Sequence, residues 1–176
     1  MTGDTSSRVG ATTVQRAIQA HLGSAQVARV IYGAIIGLAL VVALEAHPPR
    51  AAVMVGTILA TAFAVGLAEL YSEMVGAETR YRRRVGREHL PHIATQALAV
   101  MVGIAFPAVF FSLAAAGAME LGTAFTVAKW SGVGLIGLYG FAAARLAGAG
   151  VGTALLQALA VAVIGAVLIG MKALIH

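Results

Sequence analysis

The chain has 176 residues, of which 60% are hydrophobic and only 11% charged, and its mean hydropathy is +0.90. Soluble domains carry about 25% charged residues, so the composition excludes an ordinary water-soluble domain, and the length leaves room for one domain. The formal charge of +5 therefore reads as orientation and contact with anionic lipid headgroups, with no nucleic-acid partner.

Five stretches contain no Asp, Glu, Lys or Arg: residues 30–44, 51–68, 89–119, 130–144 and 146–171. A span needs roughly 20 apolar residues, and the pattern predicts an all-α, polytopic membrane protein with five transmembrane helices. They are expected at 26–46, 51–73, 93–118, 122–146 and 151–174, forming one membrane domain over 26–176. Before them, residues 1–25 read as a disordered start plus a short interfacial amphipathic helix. Val14, Ile18 and Leu22 recur there every four residues, with Arg16, Gln19 and His21 on other faces. A cleaved signal peptide is not expected, because the first apolar run begins late and is too long for a signal h-region.

His47-Pro48-Pro49-Arg50 separates the first two spans, since its prolines cannot continue a helix. In the first span Gly33 and Gly37 form a G-x-x-x-G, a helix-packing motif that admits close backbone approach. Glu69 and Glu73 follow near the inner end of the second span, four residues apart and hence on one face, with Thr57 and Thr61 extending that stripe. A carboxylate in a span points to function. This pair is the candidate ion or proton pathway; the structural alternative is headgroup water or pairing with Arg80 and its neighbours.

A short basic cytoplasmic insert occupies 77–92, where Arg80, Arg82, Arg83, Arg84 and Arg87 would meet lipid headgroups and fix topology. Nine arginines would lie on the cytoplasmic side of a chain with its N-terminus inside. Only Arg50 and Lys172 would lie on the other, and Lys129 falls within a span, which accounts for all 12 Lys and Arg. The odd number of spans then puts the C-terminus outside. Glu88, His89 and His92, at the start of the third span, join Glu69 as candidate ligands for a hard or borderline divalent metal. An interfacial, solvated cluster is the structural alternative. Pro107 is expected to kink the third span. In the fourth, Lys129 is expected to snorkel toward Glu120 or Glu45, while Gln96, Gln157 and Tyr139 would line a path or bridge helices. With no cysteine in the chain, disulfides, thiolate metal sites and a thiol nucleophile are excluded. The residues contain no nucleophile elbow, phosphate loop or catalytic triad either, so no enzyme is expected. Heavy use of Ala, Val, Gly and Arg suits a bacterial genome rich in G and C, and the cell inner (plasma) membrane is the expected location.

In order and spacing these features resemble the vacuolar iron transporter family. The residues that carry the resemblance are Tyr32–Leu38 in the first span, Gly66–Ser72 in the second, Gly103–Pro107 in the third, and Gly140–Leu146 with Gly165 and Gly170 in the last two. The resemblance implies a dimeric five-span protein that exports Fe²⁺ or Mn²⁺ from the cytoplasm with proton coupling through Glu69, and no permanently bound cofactor. It also implies where this chain departs. The family's first span carries Asn-Asp-Gly where this one reads Ile35-Ile36-Gly37, and a methionine one turn before the second-span glutamate is Val65 here. A long glutamate-rich metal-binding domain is replaced by the arginine-rich insert. These losses make a non-transporting membrane scaffold or partner-binding subunit the alternative.

Overall fold

The computed structural model describes residues 25–81, 86 and 89–175. The expected amphipathic segment, Glu88 and the arginines at 82–84 and 87 lie outside the described residues. Among the described residues six helices follow in order: α1 (Ala25–Leu44), α2 (Ala51–Tyr81), α3 (Leu90–Ala105), α4 (Ala108–Ala115), α5 (Leu121–Leu146) and α6 (Val151–Ile175). No strand occurs among the described residues. Three of the helices, α1, α2 and α5, are long and apolar enough to cross a membrane, and α3 with α4 makes a fourth candidate if the bent pair is one span. Within α6 the apolar stretch Val151–Val167 is shorter. The protein is thus an all-helical, multi-pass membrane protein by helix length and composition.

Two boundaries differ from the sequence expectation. The second helix runs on to Tyr81 instead of stopping at 73, because Glu73–Tyr81 contains no proline and, apart from Gly76, holds helix-compatible residues such as Met74, Ala77, Glu78 and Arg80. The expected third span of 93–118 begins earlier, at Leu90, and is divided at Pro107 into two helices bent by 47°. Proline has no N–H for the carbonyl four residues back and its ring crowds that carbonyl, so α3 cannot pass through it. The chain turns, and α4 swings against α2 and α5.

Both later breaks end on glycine for a geometric reason. Gly117 and Gly148 have φ of 78° and 85°, which side chains with a Cβ rarely adopt. At each, the next amide reaches back to close the helix: Ala118 N–H donates to Leu113 O at 2.9 Å, and Ala149 N–H to Ala144 O at 3.0 Å. These are Schellman closures, which satisfy carbonyls that the helix end would leave bare.

Packing centres on α1. It lies against α3 on one side and α5 on the other, with α6 covering α5; α2 is an outer helix that touches α3 and α4 and meets α1 only sparsely. The α1–α3 contact is backbone to backbone. A Cβ on Gly33 would stand 2.2 Å from Val100 O, one on Gly37 2.9 Å from Ile104 O, and one on Gly103 2.4 Å from Val30 O. The G-x-x-x-G thus faces a helix of the same chain. At the far end from Arg29, Val41, Met54, Ile58, Phe111 and Phe125 form the main core, where the two phenylalanine rings meet edge to face at 4.9 Å. Large apolar side chains such as Phe63, Leu67, Trp130 and Leu156 face outward, as a lipid-facing surface requires.

Candidate functional site

Glu69 and Glu73 sit on one face of α2, as their spacing dictates. Eighteen and twenty-two residues separate them from Ala51, about 27 and 33 Å at 1.5 Å per residue. A hydrocarbon layer is about 30 Å thick, so the pair straddles its boundary. Across from them stands Arg29, the only charged residue of α1. One guanidinium nitrogen bonds Glu69 Oε1, and Nη2 donates to Glu73 Oε1 at 2.5 Å. Arg29 and Glu69 are 20% and 22% exposed at the side chain, whereas Glu73 is 38% exposed. This clamp joins the Ala25 end of α1 to the Tyr81 end of α2, helices that otherwise scarcely touch. Among the described residues one guanidinium thus meets two carboxylates.

The structural alternative read from the sequence is headgroup water or pairing with Arg80 and its neighbours. Among the described residues the partner is Arg29, and Arg80 is exposed on the last turn of α2. The signal for Arg29 was present in the chain: an isolated cation one turn inside an apolar helix needs an anion at the same depth. Thr57 and Thr61 lie on the same stripe of α2, and their hydroxyls donate to Val53 O and Thr57 O on their own helix, at 2.9 and 2.8 Å. Such back-bonding is how a hydroxyl is satisfied in a span.

Of the expected metal ligands, Glu88 lies outside the described residues. Among the described residues no three of His, Cys, Asp or Glu come together as a ligand group. His89 and His92 are exposed at the start of α3. The Gln96 amide lies 2.8 Å from His92 Nε2 and donates to it when that nitrogen is unprotonated. Gln96 is itself buried, and its Oε1 has no hydrogen-bond partner among the described residues.

A second ion pair lies toward the other end of the bundle. Lys129 Nζ donates to Glu45 Oε1 at 2.6 Å, with side-chain exposures of 17% and 30%. Of the two acids expected for Lys129, the structure selects Glu45, which caps the end of α1 next to α5. Removing one member strands the other. Glu45→Gln is expected to lower stability by about 2 kcal/mol, the scale of a hydrogen bond to a charged group. Adding Lys129→Met should recover most of that loss in thermal unfolding of the detergent-solubilised protein.

The site therefore consists of an arginine holding two carboxylates at a membrane boundary. No protein-family model matches the chain, and no curated protein or solved structure matches it either.

Proposed function

We propose that this is a five-span subunit of the bacterial plasma membrane, its N-terminus inside and its C-terminus outside, that acts as a non-transporting scaffold or partner-binding protein. The arrangement is similar to that of the vacuolar iron transporter family, with the metal site lost. One observation carries the reading: the Arg29 guanidinium occupies both carboxylates of the acidic pair. A divalent cation would have to displace a covalently tethered cation from the same oxygens, with no third His, Cys, Asp or Glu beside them among the described residues. The first-span aspartate of the resembled family is missing as well, with Ile36 before Gly37.

A second reading, a homodimeric Fe²⁺ or Mn²⁺ transporter with proton coupling, is favoured by the clamp's two carboxylates to one guanidinium among the described residues, which offers one proton or cation a place. Purified protein in liposomes loaded with a divalent-sensitive dye separates the two. The scaffold reading expects no Fe²⁺ or Mn²⁺ flux above empty liposomes, and recovery of the same partner proteins by wild type and Glu69→Gln. Flux in wild type that Glu69→Gln abolishes would replace it with the transport reading.

A further inference from the structure

A trough of about 210 Å³ runs along the outside of α1 between α3 and α5. It exists because α3 and α5 both pack on α1 without packing extensively on each other. Val27 and Val30, 2% and 9% exposed, lie along it from α1, and Ala99 contributes from α3. Three polar residues also line it: Gln26, Thr95 and Tyr139. The Thr95 hydroxyl is already used, donating to Pro91 O at 2.7 Å. Gln26 and Tyr139 make no side-chain hydrogen bond to any described residue.

Their depth is telling. Gln26 is the second residue of α1, and Tyr139 lies seven residues before the end of α5, about 10 Å along the axis. At 26 residues, α5 is about 39 Å long against a hydrocarbon layer of about 30 Å. Tyr139 thus sits near the hydrocarbon boundary of the leaflet at the Ala25 end. An amide and a phenol without a described protein partner at that depth can bond the oxygens of the lipid interface. Lipid tails alone would fill the trough but leave both donors bare.

We propose that the trough is a binding site for one glycerophospholipid of that leaflet. An acyl chain lies against Val27, Val30 and Ala99, while the ester or phosphate oxygens accept hydrogen bonds from the Gln26 amide and the Tyr139 hydroxyl. Glycerophospholipid is the molecule class that joins a long apolar chain to acceptor oxygens at this depth. The site is separate from the Arg29 clamp and stands or falls independently of it.

Native mass spectrometry of the full chain, delipidated by detergent exchange and then given dioleoyl phosphatidylglycerol, tests the assignment. Wild type should hold one phospholipid after the remainder is stripped. Tyr139→Phe keeps the ring and the fold but loses a donor, and should lower occupancy about fivefold, the equivalent of one hydrogen bond; Gln26→Leu should act similarly. Ala99→Phe fills the trough and should abolish retention, whereas Leu156→Phe on the outward face of α6 should leave it unchanged. Retention of detergent only by folded wild type would overturn the proposal. So would Tyr139→Phe and Gln26→Leu with wild-type occupancy. A dimer that Ala99→Phe converts to monomer, with lipid retention unaltered, would assign the trough to a second copy of the chain instead.

Discussion

Arg29→Leu should lower the stability of the solubilised protein by roughly 2–3 kcal/mol. Removing one member of a fully buried ion pair costs about 3–5 kcal/mol because the other charge is left stranded. Here the groups are about one-fifth exposed, which reduces the penalty. It leaves Glu69 and Glu73 as like charges one turn apart, with nothing to draw α1 and α2 together at that end. The neutral triple variant Arg29→Leu, Glu69→Gln, Glu73→Gln should recover most of the loss, since no charge then remains to be compensated. Double-mutant cycles in thermal or denaturant unfolding should give a larger coupling for Arg29 with Glu69 than with Glu73, the more exposed of the two acids. Equal stability of wild type and Arg29→Leu would mean that the clamp contributes nothing.

Gly33→Leu should be more damaging still. Its Cβ alone would stand 2.2 Å from Val100 O, and the obstacle is the backbone of α3, which cannot rotate aside as a side chain can. Helices in lipid gain little from hydrophobic burial against one another and depend on close contact, so forcing α1 off α3 removes the main contact of the bundle. A loss of roughly 3 kcal/mol or more is expected, at the upper end of overpacking costs, read as failure to recover folded protein from the membrane. Gly103→Leu should behave in the same way from the other side, where the added Cβ would stand 2.4 Å from Val30 O. Gly56→Ala is the control. Nothing lies within 4 Å of its added Cβ, and it should be neutral or stabilise by about 0.5–1 kcal/mol, the usual gain of replacing glycine within a helix.

Much of the architecture is legible in the chain because its signals are local. A long uncharged run forms a helix in lipid whatever its neighbours do, since its backbone must satisfy itself. Pro107 breaks α3 because of its own ring, and Gly117 and Gly148 close helices because of their own φ. The i, i+4 spacing likewise puts Glu69 and Glu73 on one face without reference to any other helix. The continuation of α2 to Tyr81 was also a local matter, hidden because an apolar-run reading stops at the first charges although a helix does not.

Partnership between helices is a different kind of information. The sequence by itself determined an all-helical membrane chain, its breaks, and which side chains would be awkward in hydrocarbon. Only the tertiary structure decided that Arg29 of α1 answers Glu69 and Glu73, that Lys129 takes Glu45, and that Gly33 and Gly37 meet Gly103 and its neighbours within the same chain. The physical reason is that an apolar helix in lipid looks much the same from every side. Which faces meet depends on close fit and depth between segments distant in the chain, and a one-dimensional pattern carries no record of either.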